Sequence, residues 1–484
     1  MFCWLAMVTT LDATLVNVAL PVIGRHLGAD AAALSWVVNA YTLSLAGLLV
    51  LGGAIADRIG RKIALYLGLL LFITGSVAAA AAESVALLIG GRWVMGAGAA
   101  LMMPTGLSTI SAVFVSHRRA LAAGVLGAAG LIGAPLGPLL GGALLGHFGW
   151  PSVFAVNIFL AAPLLLSAWK LVPETRARRQ DARPFDWGGA ILATTGTSAV
   201  VWSIVEAPQR AWLDPQVAVV TVVAFALLTA FVVRQRRTPQ PMLPLRSLSR
   251  VTTAGAAVLF WCYFALLGSL FAVAQYLQLV LGYSPLDAGL RVLPVVATTA
   301  ISFISAGELA KRLGLRTVVS LGLLLLILGL VVMSEATASA GFGVVLTALL
   351  LVGLGMGVIL PLVPTTMINA QPPGQAGVAS AIADTSRYLG GALGTAVVAG
   401  ITTAHFRAAM TGPAGTPVPS DLAEAIVIAG NLDSDHRQAL KQAASTAFTN
   451  AMATAHLITA ALVAAAVLFV LFLPAKKRKA TTLA

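Results

Sequence analysis

A chain of 484 residues could hold two or three soluble domains at roughly 150 residues each, yet 59% of it is hydrophobic and only 10% is charged. Average globular proteins carry about 25% charged residues, so a soluble surface cannot be covered here. Secreted, fibrous and nucleic-acid-binding classes are excluded too, because the net charge of +13 falls in short connections between apolar runs and not on one basic face.

Fourteen apolar runs follow one another, each long enough to cross ~30 Å of hydrocarbon as a helix. They predict helices near 3–23, 35–55, 63–82, 85–114, 120–146, 152–172, 186–206, 215–233, 252–281, 288–306, 317–334, 341–369, 377–402 and 449–473. The first run has no basic n-region and no Ala-x-Ala site, and reads as a retained span. Inner connections and the tail gather most of the Lys and Arg, whereas the outer ones hold Arg25, Arg210, Arg407, Arg437 and Lys441. By the positive-inside rule both termini are cytoplasmic. Cys3 and Cys262 lie inside apolar runs, which leaves no disulfide framework and no thiolate metal site.

Helix 1 carries Asp12 in Leu11-Asp12-Ala13-Thr14-Leu15-Val16-Asn17. An ionised Asp at the bilayer centre costs about 2.5–3.5 kcal/mol on the gentlest scale, and at 1.5 Å per residue Asp12 lies at mid-membrane depth. Thr10, Thr14 and Asn17 share a face from which Asp12 points away. Structural pairing with an Arg and a role as proton carrier or substrate counter-charge both fit. Helices 2 and 3 are joined by Gly53-Ala54-Ile55-Ala56-Asp57-Arg58-Ile59-Gly60-Arg61-Lys62. Gly60 breaks the helix there, and Asp57 can cap a helix N-terminus, for which Gly374 to Gly377 of helix 13 is the expected partner.

Helix 4 supplies Arg92 among small residues, Gly90-Gly91-Arg92-Trp93-Val94-Met95-Gly96. Arg92 cannot lose its proton and must find an acceptor in the bilayer. Paired with Asp12 it makes a couple in which a small helix movement can bind or release a proton. Helix 5 reads Gly133-Ala134-Pro135-Leu136-Gly137-Pro138-Leu139-Leu140-Gly141-Gly142, a composition suited to a kink, a hinge or a tight packing seam.

The joint pattern Gly53 to Arg61 recurs as Gly307-Glu308-Leu309-Ala310-Lys311-Arg312-Leu313-Gly314-Leu315. The chain therefore reads as a six-helix bundle at 1–172, two inserted helices at 186–233, a second six-helix bundle at 251–474 and a basic tail at 475–484. Parallel repeats of this kind place a substrate path between the halves. Glu206 and Arg291 lie close enough to the interface to snorkel. In helix 13, Asp384 can pair with Arg387 or act as a second titratable site. An outer segment, 403–447, holds two amphipathic patterns, Asp421 to Ile428 and Asp435 to Phe448, expected as a hairpin on the membrane surface. The tail Lys476-Lys477-Arg478-Lys479 touches anionic lipid heads. The six histidines are scattered, so a membrane-embedded enzyme, a metal site and a bound cofactor have no motif to carry them.

Together these segments resemble the major facilitator superfamily, in its fourteen-helix drug:proton antiporter branch. The motifs concerned are Leu11-Asp12 to Pro21, the joint Gly53 to Lys62, Arg92 with Gly96, and Gly133 to Gly142. Asp186-Trp187, Gln275-Tyr276-Leu277-Gln278 with Gly282-Tyr283-Ser284-Pro285, and Arg387 to Gly394 agree with it too. The resemblance implies an all-α polytopic membrane protein, a monomer in the cell membrane that binds no nucleic acid. It would export amphipathic small molecules, such as drugs, antibiotics or dyes, against inward proton flow. A transporter of lipid or another metabolite is the alternative.

The residues and the resemblance together assign roles. Asp12 and Arg92, with Asp384, serve proton coupling. Gly53, Asp57, Arg58, Gly60, Arg61, Gly133, Gly137, Pro138, Gly141 and Gly142 serve gating and leak control. Asn17, Asn39, Met95, Gln275 and Gln278 are substrate-pocket candidates. Two positions depart from the pattern. Met95 stands where the branch usually has Gln, and Asn39 stands where some exporters of dications carry an acid.

Overall fold

The computed structural model describes the whole chain except residues 30, 114–115, 173–185, 211–213, 239–240, 242–247, 372–375, 411–418, 420, 431 and 475–484. The described residues form helices and no strand. In chain order these are α1 Phe2–Leu27, α2 Ala31–Ile59, α3 Arg61–Ala80, α4 Val85–Val113, α5 Ser116–Phe148, α6 Ser152–Leu171, α7 Trp187–Arg210 and α8 Pro215–Arg237. They continue with α9 Arg250–Gln275, α10 Pro285–Leu313, α11 Leu315–Ser334, α12 Gly341–Asn369, α13 Ala376–Ala409, α14 Leu422–Gly430 and α15 Ser434–Val470. A single π turn, Tyr276–Val280, extends α9. Among the described residues, eleven helices are long and apolar enough to cross a membrane. Helices α2 and α5 hold shorter apolar stretches, Trp36–Leu49 and Leu139–Phe148.

Two apolar cores divide the chain. One is built by α1, α2, α3, α4 and α6 around Leu15, Phe72 and Phe154, the other by α9 to α15 around Val258, Leu326 and Ile359. The pairings repeat: α1 on α5, α2 on α4 and α3 on α4 correspond to α9 on α13, α10 on α12 and α11 on α12. Glycines allow these close approaches, since lipid gives helices no hydrophobic drive to associate and contact must come from packing. A Cβ on Gly68 would stand 2.8 Å from the Gly98 carbonyl of α4, and one on Gly322 would stand 2.9 Å from the Gly355 carbonyl of α12. Gly60, Gly68 and Gly75 recur with unchanged spacing as Gly314, Gly322 and Gly329.

The joint between α2 and α3 is shorter than the sequence suggests. Residues Gly53 to Ile59 continue α2, and Gly60 alone turns the chain, at φ 102° and ψ 142°. Its repeat partner Gly314 turns α10 into α11 at φ 90° and ψ 150°. These are backbone conformations that a side chain strongly disfavours, which is why glycine stands at both.

The outer segment is also different. α13 runs on to Ala409, and the second amphipathic pattern is the opening of α15 and no separate surface helix. Neither Gly nor Pro occurs between Ser434 and Leu473, so nothing stops the helix. At 37 residues it is ~55 Å long by the helical rise, and α14 packs back onto it.

Helix α7 lies between the halves, against α2 on one side and α13 on the other. Leu43 of α2, Val201 and Trp202 of α7, and Leu389 and Leu393 of α13 form one small apolar cluster with Trp36. Ser198 of α7 sits against Gly47 of α2 so closely that a Cβ there would collide with its hydroxyl.

Candidate functional site

α1, α4 and α6 bring three polar side chains together inside the first core. Asp12 is 1% exposed, and Arg92 and Asn157 are 0% exposed. Arg92 Nη1 donates to Asp12 Oδ2 at 2.6 Å, and Asn157 Nδ2 donates to Asp12 Oδ1, also at 2.6 Å. Each carboxylate oxygen therefore has its own donor. Arg92 Nε donates to the Val37 carbonyl of α2 at 3.1 Å, and its guanidinium stacks over the Tyr41 ring, 4.5 Å from the centroid. The ring is held in turn by the Tyr41 hydroxyl, which donates to the Thr9 carbonyl at 3.3 Å.

Burial of two charges costs several kcal/mol per ion unless partners replace the lost water. Here the ion pair, the amide and the aromatic face supply them. Two buried atoms of this cluster have no hydrogen-bond partner among the described residues: Arg92 Nη2 and Asn157 Oδ1. Met95 Sδ lies 4.0 Å from Arg92 Nη1. A weak thioether acceptor thus occupies the place beside the guanidinium where the resembling branch has an amide.

Thr10 and Thr14 point away from Asp12 and into α5, as their spacing requires. Thr10 Oγ1 donates to the Gly130 carbonyl at 2.7 Å. A Cβ on Gly133 would collide with Thr10 and Met7, and one on Gly137 with Thr14 and with the Leu15 amide at 2.8 Å. A Cβ on Gly141 would make only ordinary contact with α1, and Gly142 has open space around it. The glycine run is therefore a close-packed seam against α1 at its first two positions.

The other expected residues are scattered or undescribed. Asn39 is half-buried on α2, while Gln275 and Gln278 are half-buried at the end of α9 and in its π turn. That helix packs on α11, α12, α13 and α15, so the structure gives the two glutamines to the second core and not to the Asp12 cluster. Arg387 of α13 lies over the Tyr263 ring of α9, 5.6 Å from its centroid. Arg58 is exposed and Arg61 half-buried. The side chains of Asn17, Asp57, Pro138 and Asp384, and the proposed capping partner at 372–375, lie outside what is described.

Glu206 does not snorkel. It is buried, accepting from Trp36 Nε1 of α2 at 3.0 Å and from Arg210 Nε at 3.0 Å. Arg291 stacks on Tyr283, 3.9 Å from the ring centroid, and pairs with Asp287 at 3.5 Å. At the start of α7, Asp186 caps the helix by accepting from the Gly189 N–H at 2.8 Å, and is clamped by Arg234 at 2.8 Å and Gln235 at 2.6 Å from the end of α8. Burial pushes the Asp186 carboxyl up, but the Gly189 amide, Arg234 and Gln235 outweigh it and hold the group below its ordinary value.

Two of these residues escaped the sequence reading. Asn157 is the one strongly polar side chain in the apolar run Ser152 to Trp169, a signal of the same kind as Asp12 but weaker. Tyr41 gave no signal at all, since a tyrosine in a span is ordinary.

Comparison with known proteins bears on the whole chain. Residues 2–395 match the Major Facilitator Superfamily. Multidrug resistance protein Stp of Mycobacterium tuberculosis is 36% identical over 431 residues, 87% of this chain and 79% of that protein. Multidrug efflux pump LfrA of Mycolicibacterium smegmatis is 34% identical over 465 residues, 94% and 92% of the two chains. The crystal structure of the human organic anion transporter MFSD10 (TETRAN), at 17% identity, superposes with a TM-score of 0.61 over 97% of this chain and 98% of that one. Repeated helix pairing around two cores is thus a shared architecture, and the chain belongs to the Major Facilitator Superfamily of membrane transporters.

Proposed function

We propose that the protein is a proton-coupled antiporter that exports amphipathic small molecules, such as drugs, antibiotics or dyes, by alternating access. The observation that carries this reading is a fully buried carboxylate, Asp12, with one oxygen on Arg92 and the other on Asn157. It lies in a chain whose relatives are named as a multidrug resistance protein and a multidrug efflux pump. A permanently paired ion couple with no further role is costly inside a membrane. A carboxylate whose partners sit on two other helices gains or loses those partners when the helices move, and its proton follows. Moving one proton down 100 mV yields ~2.3 kcal/mol, enough for concentrative export.

In this reading the chain has fourteen spans with both termini cytoplasmic, in bundles 1–172 and 251–474 around the inserted 186–233, and acts as a monomer. Asp12 is the coupling acid, Arg92 its relay partner and Asp384 a second titratable site. Gly53, Asp57, Arg58, Gly60 and Arg61 latch the cytoplasmic side, and Gly133, Gly137, Pro138, Gly141 and Gly142 restrict leak. Asn17, Asn39, Met95, Gln275 and Gln278 line the substrate path.

The test uses inverted membrane vesicles, with ethidium uptake and proton release followed together. An imposed proton gradient is expected to drive uptake in the wild type, and a protonophore to abolish it. No gradient-driven uptake of any compound in a broad library would overturn the antiport reading.

A further inference from the structure

We infer that the end of the bundle where α2 meets α3 carries a site for one anionic phospholipid, its phosphate held by Lys62 of α3 and Lys170 of α6 beside Trp169. This goes beyond the transport reading and does not depend on it.

Lys62 lies in the first turn of α3 and Lys170 in the last turn of α6, and the two meet at Trp169. Lys62 Nζ is 4.8 Å from the centroid of the indole. Tyr66 meets the same side chain edge-on, with centroids 6.0 Å apart, and Lys170 follows it in the chain as an exposed residue. Neither α3 nor α6 contains an Asp or Glu, and among the described residues no carboxylate pairs with either lysine. An aromatic face attracts an ammonium ion without neutralising it, and each lysine keeps donors for an acceptor. Two open cations beside one ring favour an anion between them.

The second half shows the same position answered by the protein itself. With the spacing that relates Gly60, Gly68 and Gly75 to Gly314, Gly322 and Gly329, Lys62 corresponds to Arg316. Arg316 Nε donates to the Leu473 carbonyl just beyond α15, and α15 packs on α11 as α6 packs on α3. There the cation is satisfied by a carbonyl at a helix end. In the first half it meets a ring face, and its charge stays open.

What lies along α6 makes the anion a lipid. Trp169 is 66% exposed, and Leu166 and Phe159, seven residues apart and so on one face, are 73% and 76% exposed. In a spanning helix such side chains face acyl tails, while Trp and Tyr sit at the level of the headgroups. A phosphate at the lysines and a tail along Leu166 and Phe159 fit one amphipathic molecule, whereas free phosphate would use only half of the site. Charge selects among lipids. The phosphate of phosphatidylglycerol has no cation of its own, but that of phosphatidylethanolamine is already paired with its amine.

The test titrates purified protein in detergent with phosphatidylglycerol, phosphatidylethanolamine or inorganic phosphate and follows the thermal midpoint. Brominated phosphatidylglycerol, which quenches tryptophan fluorescence on contact, reports the place. Phosphatidylglycerol should raise the midpoint at concentrations where the other two do not, and the quenched fraction should fall in Trp169→Phe. A lysine near a lipid surface strengthens binding about fivefold. Lys170→Gln should therefore need about five times more phosphatidylglycerol for the same rise, and Lys62→Gln/Lys170→Gln about twenty-five times more. The matched control is Arg236→Gln/Arg237→Gln, which removes two exposed cations from the last turn of α8 and should respond as the wild type does. Equal weakening in both double variants would reduce the effect to general attraction by a basic membrane edge and overturn the proposal. So would a wild-type response in the lysine variants, an equal response to phosphatidylethanolamine, an unaltered quench in Trp169→Phe, or a full response to inorganic phosphate alone. If the double lysine variant does not fold, Lys170→Gln decides, since Lys170 makes no hydrogen bond or ion pair among the described residues.

Discussion

At the scale of single residues, the chemistry concentrates where a charge interrupts an apolar run. Asp12 and Arg92 were legible because each is expensive at mid-membrane depth and each needs the other. Their positions in sequence did not say how the second carboxylate oxygen would be satisfied, since a single asparagine in an apolar helix is no strong marker. Asp12→Asn keeps the shape of the side chain and can still accept from Arg92. It is expected to fold, to reach the membrane in wild-type amounts and to lose gradient-driven efflux, as ethidium uptake into inverted vesicles will show. Full coupled efflux in that variant would make Asp12 structural. Arg92→Met should be harsher, because removing one partner leaves a buried charge and costs about 3–5 kcal/mol. A fall in the thermal midpoint of the purified protein, larger than that of Asp12→Asn, is the expected result.

Helix existence was readable from apolar runs alone, and each predicted range overlaps one of the helices found, six of them overrunning a helix end by one to three residues. What composition could not give was where helices fail to stop. The joint at Gly60 is a single residue because only a left-handed backbone is needed there, and α15 extends because Ser434 to Leu473 holds no breaker. The glycines of α5 look alike in sequence, yet only packing separates them. Gly137→Ala would drive a methyl group into Thr14 and the Leu15 amide, an overpacked contact worth about 1–3 kcal/mol. Gly142→Ala meets nothing and should match the wild type in thermal midpoint. Equal behaviour of the two variants would mean that α1 and α5 do not pack as described.

The α7–α8 hairpin allows a pH prediction at the same scale. Asp186 is held below its ordinary value, by Gly189, Arg234 and Gln235 against the opposing effect of burial. A carboxylate depressed in the folded state contributes stability above its unfolded value of ~3.9 and loses it as pH falls through the folded one. Asp186→Asn should therefore lower stability by about 1–2 kcal/mol near neutral pH, at the low end because the Arg234 side chain is 44% exposed. The gap between the two proteins should shrink below about pH 4. A difference in thermal midpoint that stays constant over the whole pH range would remove Asp186 from the clamp.

For the whole molecule, the two cores make alternating access a rocking of one half against the other, and α7 lies where they meet. Its two contacts are unequal. Toward α2 it has the hydrogen bond from the half-buried Trp36 to the buried Glu206 and the tight fit of Ser198 on Gly47. Toward α13 the described contact is apolar, Val201 and Trp202 against Leu389 and Leu393. A buried hydrogen bond cannot be broken in lipid without leaving a polar group unpaired, whereas apolar side chains can slide past one another and re-pack at little cost. The hairpin should then travel with the first half and leave α13 free to move past α7. Spin labels at Glu83 between α3 and α4, Val219 on α8 and His405 on α13, all at exposed positions, test this by their distances. Between wild type at acid pH, wild type at alkaline pH and Asp12→Asn, the Glu83–Val219 distribution should hold while Val219–His405 shifts. A Glu83–Val219 distance that changes as much as the other would show the hairpin to be independent of α2, and the hydrogen bond from Trp36 to Glu206 to be one that transport breaks.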